Sequence, residues 1–307
     1  MLVVEGALVY ANLLVLLSIG LTLTYITTGV PNFAQGSFAI VGSYAALTFL
    51  RLFNLHPYLS IPLVFLVGAL LGLLVYLLVL KPLIKREASV VILMIATLAL
   101  DLILLGFLGA YSGFLEGITH RSAAKFIFTY LDFEVYRISA ILFVSTFVIL
   151  TLLLFLFILL YKTKFGIALR ASMENPALAE IMGVNVEYTR LFSWILSGAL
   201  AAVSGCLLPF RQEIVPGTGP IIIVSIFAAS IVGGLGNIYG ALLGGYVIGI
   251  SESLVTYYLS SIFGARVLVY GKAFSLIVLI VTLLVAPKGL VSINWRKVLR
   301  RRVLRWA

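Results

Sequence analysis

The chain has 307 residues, of which 63% are hydrophobic and 10% charged, and its formal net charge is +10. Soluble domains have about a quarter of their residues charged, so this composition excludes a soluble globular protein and indicates a polytopic membrane protein. The single cysteine, Cys206, excludes a disulfide framework, and the histidines His56 and His120 are far apart, so we expect no metal site.

Nine apolar stretches, each close to the 20 residues that a helix needs to cross a bilayer, follow one another along the chain. We predict an all-α fold with eight or nine crossings, because the seventh stretch is short enough to be re-entrant and the second begins in a polar patch. The predicted domain covers 1–292, followed by a basic tail over 293–307. The predicted spans are 7–28, 33–51, 60–80, 89–110, 138–161, 190–209, 218–233, 238–259 and 267–286.

The basic residues predict the orientation, because the cytosolic loops of membrane proteins are enriched in Lys and Arg. The segments 81–88, 162–190 and 287–307 hold 14 of the 21 basic residues. Nine crossings place all three in the cytosol, with the amino terminus outside and the carboxy terminus inside. The tail combines an apolar stripe with a basic face, which is typical of a helix on an anionic membrane surface. We expect no binding of nucleic acid.

A polar break, Gly29-Val-Pro-Asn-Phe-Ala-Gln-Gly-Ser37, precedes the second span. Lipid cannot satisfy the backbone groups that such a break exposes, so it is tolerated only where it is buried in protein or lines a cavity. One interpretation is that its side chains line a path for a polar solute, and the other is an ordinary cytosolic turn. The path candidates in this region are Asn32, Phe33, Gln35, Ser37 and Tyr44.

Two carboxylates, Asp101 and Glu252, fall within predicted spans, where an ionisable group is costly and suggests a functional site. Asp101 either contacts the solute or makes a structural hydrogen bond between helices, and it lacks the partners of a proton relay. Glu252 either faces a water-filled path or pairs with a polar group on another helix. Both are added to the path candidates.

The segment from Lys162 to Arg190 is the longest polar stretch in the second half of the chain. Within it, Asn175-Pro176 predicts the start of a short helix and Gly183 its end. A helix of about 10 Å is too short to be stable alone in water. We therefore expect it to be held between the membrane domain and a partner, the alternative being a cytosolic loop with an incidental helical turn.

Three apolar residues of this short helix, Leu178, Ile181 and Met182, fall on one face. By contrast, the segment 111–137 between the fourth and fifth spans has mixed charge. It is interpreted either as a surface on which another protein docks or as a solvated loop.

The glycines Gly236, Gly240 and Gly244 recur at every fourth position, a spacing that predicts close packing of helices in lipid. The sequence contains no P-loop. The candidate Gly271-Lys272 is followed by Ala and lacks the glycine that a P-loop has five residues earlier. No catalytic set of residues emerges either. We therefore predict that the chain is not an enzyme.

Several motifs follow one another through most of the chain. They are Asn32-Phe-Ala-Gln-Gly36 with Gly42-Ser-Tyr44, Gly166-Ile-Ala-Leu-Arg170, Met182-Gly-Val-Asn185, Val232-Gly-Gly-Leu-Gly-Asn-Ile-Tyr-Gly240, Gly249-Ile-Ser-Glu252 and Ala286-Pro-Lys-Gly-Leu290. In order and spacing they resemble the permease subunits of ABC importers for branched-chain amino acids, of the LivH type.

The resemblance implies a permease that binds no cofactor itself and is driven by ATP hydrolysis in partner subunits. The implied partners are two ABC ATPase subunits, a second, LivM-like permease, an extracytoplasmic solute-binding protein and membrane lipids. It also implies that the short cytosolic helix fits a groove on the ATPase. The residues of this coupling helix are Asn175, Pro176, Leu178, Glu180, Ile181, Met182 and Gly183.

Three positions depart from the family pattern. Gln35 replaces the usual His, Ser37 stands where an acidic residue is frequent, and Asp101 stands where an apolar residue is expected. If these residues line the path, the substrate differs from Leu, Ile or Val, and related systems take up amides or urea. The alternative function is an ion- or proton-coupled secondary transporter in which Asp101 and Glu252 are the coupling residues.

Overall fold

Most of the chain is helical in the computed structural model, which describes residues 2–135, 138–264, 271–286 and 289–292. Within these ranges, seven helical segments are long and apolar enough to cross a membrane. Two shorter apolar helices join them, which confirms the predicted all-α polytopic fold. The helices long enough to span are α1 (Leu2–Thr28), α2 (Gln35–Phe53), α3 (Pro57–Val75, continued below), α5 (Val90–Thr119), α6 (Ala140–Lys162), α9 (Val186–Leu207) and α11 (Ile238–Phe263), and the shorter ones are α10 (Thr218–Gly233) and α12 (Gly271–Val285).

Three short helices complete the description: α4 (Lys81–Lys85), which extends the span begun by α3, and α7 (Lys164–Glu174) and α8 (Pro176–Ile181), which lie outside the spans. Helix α3 runs into α4 through a π-helical turn at Tyr76–Leu80. That turn ends two residues before Pro82 and includes Leu78, whose carbonyl the proline ring would clash with in a regular α-helix. The wider turn therefore lets one long helix pass through the proline.

Helix α5 is longer than the sequence predicted, since it continues to Thr119 instead of ending near residue 110. The predicted end rested on the length that a helix needs to cross the bilayer, but the backbone stays helical beyond it, since in lipid its polar groups have only each other as partners. The loop predicted from residue 111 is accordingly two turns shorter. Two short antiparallel strands, β1 (Glu134–Val135) and β2 (Ile138–Ser139), precede α6.

Helices α1 and α9 form the centre of the bundle, since 89% and 83% of the residues in their most apolar 18-residue stretches are buried. Close contact depends on small residues, because a side chain on Gly68 of α3 or Gly198 of α9 would collide with the backbone of the other helix. The remaining spans pack around this centre and expose apolar side chains outward, as expected for a lipid-facing surface.

Helix α2 begins inside the bundle rather than at its surface. Gln35 and Ser37, in its first turn, are completely buried, and Gln35 meets Ser197 at the middle of α9. Helix α10 also begins inside, because a Cβ on Gly219 would touch Ser37. Two helix N-termini therefore meet within the membrane domain.

Residues 120–133 pack across one end of α2, α3 and α9. Phe126 and Ile214 exchange two backbone hydrogen bonds, of 3.2 and 2.9 Å, and the backbone N–H of Phe128 donates to the Pro209 carbonyl. Ala123, Phe126 and Phe128 are buried. The segment is therefore a packed cap and not a plain solvated loop, whereas the predicted tail over 293–307 lies outside the described residues.

Candidate translocation and coupling sites

The polar break before α2 is held by side-chain hydrogen bonds within the protein. Asn32 Nδ2 donates to Gln35 Oε1 over 3.0 Å, and Ser197 Oγ donates to the same oxygen over 3.0 Å. The Ala34 backbone N–H donates to Asn32 Oδ1. Asn32 and Gln35 have no accessible surface. From Asn32 to Ser37 the break is thus largely buried in protein, whereas Gly29 at its start is exposed.

Helix α5 attaches to this break through two residues one turn apart. The backbone N–H of Phe33 donates to Thr97 Oγ1 over 3.3 Å, and Ser37 Oγ donates to Asp101 Oδ1 over 2.5 Å. Asp101 is 8% exposed, and among the described residues Ser37 is its only hydrogen-bond partner. Since Ser37 lies in the first turn of α2, the carboxylate also faces the positive end of that helix. Asp101 therefore bridges α5 and α2 with one oxygen still available.

Tyr44 lies away from this group, at the end of the bundle covered by the cap. Its hydroxyl donates to the Ala123 carbonyl over 3.0 Å, and its ring lies edge-on to Phe126 at 5.2 Å. The structure brings Asn32, Phe33, Gln35, Ser37 and Asp101 together but places Tyr44 under the cap.

Glu252 belongs to a separate polar cluster that joins four helices. Lys272 Nζ of α12 donates to Glu252 Oε1 over 2.5 Å, to the Tyr10 hydroxyl over 2.7 Å and to Ser225 Oγ over 3.0 Å. Tyr10 and Ser275 donate to the two oxygens of Glu252. Both charges are therefore paired, and all three ammonium protons have acceptors.

Lys272 is a site residue that the sequence interpretation misses, because it considers Gly271-Lys272 only as a possible nucleotide-binding motif. A lysine inside a predicted span is as unusual as the carboxylates were. A lysine within a span predicts a carboxylate partner, and Glu252 is one of the two carboxylates available. Of the two interpretations of Glu252, the structure shows the pairing with a polar group on another helix.

The short helix α8 has the predicted caps. Asn175 Oδ1 accepts a hydrogen bond from the Leu178 backbone N–H over 3.1 Å, Pro176 is the first helical residue, and Gly183 has a φ of +85°. Ala179 is buried, while Glu180 is exposed. The predicted apolar face is open, with Leu178 56%, Ile181 81% and Met182 76% exposed.

The glycine repeat packs helices at two of its three positions. A Cβ on Gly240 would meet the backbone of Gly233, and one on Gly244 would meet Ala229 and Gly233, so α10 and α11 are in close contact there. The prediction is wrong for Gly236, which precedes the Asn237 N-cap of α11 and has no atom within 4 Å of an added Cβ.

Comparison with known families covers almost the whole chain. The family model described as branched-chain amino acid transport system / permease component matches residues 3–284. The chain belongs to this permease family. The resemblance inferred from its motifs is confirmed.

Curated relatives agree with this assignment. The probable branched-chain amino acid transport permease protein LivH of Methanocaldococcus jannaschii is 68% identical over 298 residues, which cover 97% of this chain and 94% of the relative. The high-affinity branched-chain amino acid transport system permease protein LivH of Escherichia coli K12 is 27% identical over 295 residues, 90% of each chain. No solved structure matches the chain.

As an ABC transporter permease, the chain is a multi-pass membrane subunit and not an enzyme, and ATP hydrolysis belongs to a separate subunit. Nothing in this family assignment favours the secondary transporter considered as the alternative. The pairing of Glu252 with Lys272 also leaves Glu252 no free charge to couple to an ion.

Proposed function

We propose that the chain is the permease of an ATP-driven importer that moves branched-chain amino acids (Leu, Ile and Val), or small polar relatives such as amides or urea, by alternating access. The names of the relatives at 68% and 27% identity support branched-chain amino acids as the first choice. The buried Ser37–Asp101 pair supports keeping the broader class, since it places a carboxylate beside the break.

The observation that carries the proposal is the open apolar face of α8. A six-residue helix outside the spans exposes three large apolar side chains, Leu178, Ile181 and Met182, on one side. Water disfavours such a face, and a groove on another protein favours it. An ATPase docked on α8 would move the helix when it binds and hydrolyses ATP. This movement would open the permease alternately to the two sides.

The complete transporter would contain two ATPase subunits, a second, LivM-like permease and an extracytoplasmic solute-binding protein. The distribution of Lys and Arg supports an orientation with the amino terminus outside the cell and with α7 and α8 in the cytosol. An exposed glycine face on α5, with no atom within 4 Å of an added Cβ, suits contact with a second membrane subunit. The glycines of this face are Gly106, Gly109, Gly113 and Gly117.

Replacing Leu178 by Asp tests the docking role. The charge would have to be buried in the ATPase groove, so we expect uptake to fall by at least about tenfold while ATP hydrolysis continues uncoupled and membrane insertion is unchanged. Uptake and ATP hydrolysis are measured together in vesicles that contain the whole transporter. Ile167→Asp, an equally polar change at an exposed residue of α7, is the matched control. Normal coupling in Leu178→Asp would contradict the docking role.

The substrate is determined by a separate measurement. Calorimetric titration of the partner binding protein with Leu, Ile, Val, amides and urea ranks the candidates, and we expect the branched-chain amino acids to bind tightest. Uptake driven by an ion gradient in vesicles without any ATPase would instead refute the whole proposal.

A further inference from the structure

A cavity of about 220 Å³ lies where the last turn of α6 meets the first turn of α11. Its polar lining is contributed by Tyr161, Arg170, Asn237 and Tyr239, and none of its lining residues is acidic. It opens at the end of the membrane domain that carries α7 and α8, because Arg170 belongs to α7. The transport path and the coupling helix use none of these side chains.

Arg170 gives the cavity its charge. No carboxylate of the described residues forms an ion pair with it, and its guanidinium carbon lies 4.9 Å from the centre of the Tyr161 ring. The Tyr239 ring lies 6.4 Å from that of Tyr161. Two aromatic rings thus border a guanidinium whose planar fork of N–H donors matches the oxygens of a phosphate.

Two apolar stripes lead away from the cavity along lipid-facing helices. On α6, Leu154 and Ile158 are exposed in register with Tyr161, and on α11, Leu243 is exposed one turn after Tyr239 and Val247 one turn later. Each stripe follows the spacing of one helix face. The cationic cavity suits the charged headgroup of a membrane lipid, and the apolar stripes suit its acyl chains.

Helix α1 lies behind both stripes. Asn12 of α1 donates to Ser145 of α6 over 3.2 Å and accepts from the Tyr246 hydroxyl of α11 over 3.0 Å. Helix α1 therefore contacts both α6 and α11 on the sides turned away from lipid, and the two stripes remain on the outer surface. A free anion would use only the cavity, whereas a lipid would use both the cavity and the stripes.

We propose that the cavity binds the phosphate of an anionic phospholipid, whose acyl chains lie along the α6 and α11 stripes. The Arg170 guanidinium donates hydrogen bonds to the phosphate oxygens. Tyr161 and Tyr239 contact the headgroup at the level of the membrane interface. The bound lipid links α6 and α11 to α7. It therefore steadies the segment that leads into α8.

Lipid titration of the full-length chain tests the site. The purified protein in neutral detergent receives phosphatidylglycerol, phosphatidylcholine or inorganic phosphate, and bound lipid is counted by native mass spectrometry while thermal unfolding is followed in parallel. We expect phosphatidylglycerol to bind at least about tenfold more tightly than phosphatidylcholine and to raise the unfolding temperature. Equal protection by inorganic phosphate would show an adventitious anion site, and equal binding of the two lipids would overturn the proposal.

Arg170→Gln identifies the residue responsible. It should weaken binding of phosphatidylglycerol by about tenfold, because it removes the charge that the phosphate meets. Lys164→Gln removes an equal charge from an exposed residue of the same helix that does not line the cavity, and should change binding less than about twofold. Equal losses in both variants would indicate a diffuse basic surface and contradict the site. Arg170→Lys keeps the charge and serves as the second variant if Arg170→Gln does not fold.

Discussion

The two carboxylates within the membrane spans, Asp101 and Glu252, have opposite surroundings. Glu252 pairs with Lys272 and accepts hydrogen bonds at both oxygens, so its charge is cancelled where it lies. Asp101 has a single hydroxyl partner, Ser37, and no cation beside it among the described residues. Their sequence contexts look alike, yet Glu252 fastens helices together with both oxygens, whereas Asp101 uses one oxygen and has no hydrogen-bond partner for the other among the described residues. Burial alone therefore does not distinguish a structural carboxylate from a functional one, and its partners must be counted.

The largest expected effect comes from breaking the ion pair. Lys272→Met leaves the buried Glu252 carboxylate without its counter-charge, and we expect a loss of about 3–5 kcal/mol of stability. Helix α12 should loosen first, because Ser275, which bonds Glu252, is its only buried residue within the described range. Thermal unfolding in detergent measures the loss.

The double variant Glu252→Met, Lys272→Met is the control for this prediction. It removes both charges together, and a buried pair can be replaced by apolar residues at little cost. We expect it to recover most of the stability lost in Lys272→Met. A single variant as stable as the wild type would mean that the ion pair does not fasten α12.

Ser37→Ala should have the next largest effect. It removes the one donor to Asp101 found among the described residues and leaves a buried acceptor unsatisfied, which costs about 1–3 kcal/mol. Ser43→Ala on the same helix is the matched control, since Ser43 Oγ donates to the neutral Gly205 carbonyl. We expect a smaller loss of unfolding temperature in the control. Equal losses would mean that the charge of Asp101 adds nothing to the Ser37 bond.

The helical architecture and the coupling helix follow from local patterns, whereas these partnerships do not. Apolar length predicts the spans, and the residues Asn175, Pro176 and Gly183 predict α8, because capping acts over a few positions. Ser37 and Asp101 are 64 positions apart and Tyr10 and Glu252 are 242 apart. Such contacts depend on which helices become neighbours. The hydrophobic periodicity of a single sequence does not specify that. The packing prediction for Gly236 is wrong for a local reason. The four-residue spacing does not indicate where α11 begins, and Gly236 lies just before its N-cap.

Asp101→Asn separates charge from shape at the candidate path. The amide keeps an acceptor for Ser37 and nearly the same volume, so we expect the unfolding temperature to change little. If the charge contacts the solute, uptake should fall by about tenfold, equivalent to about 1.4 kcal/mol. Uptake in vesicles and protein level in the membrane are measured on the same sample. Unchanged uptake with unchanged stability would make Asp101 a purely structural bridge, and the contrast with Glu252 would disappear.

Tyr10→Phe should have the smallest effect and examines the Glu252 cluster from its other side. The hydroxyl of Tyr10 accepts from Lys272 and donates to Glu252, but the ion pair itself, at 2.5 Å, does not need it. Because one neutral group is lost while both charges stay paired, we expect a loss of about 1 kcal/mol, well below that of Lys272→Met. Uptake should be normal once expression is matched, since the cluster fastens helices and is not proposed to touch the solute. A strong loss of uptake at normal stability would instead place the Glu252 cluster on the solute path, and both carboxylates would then be functional.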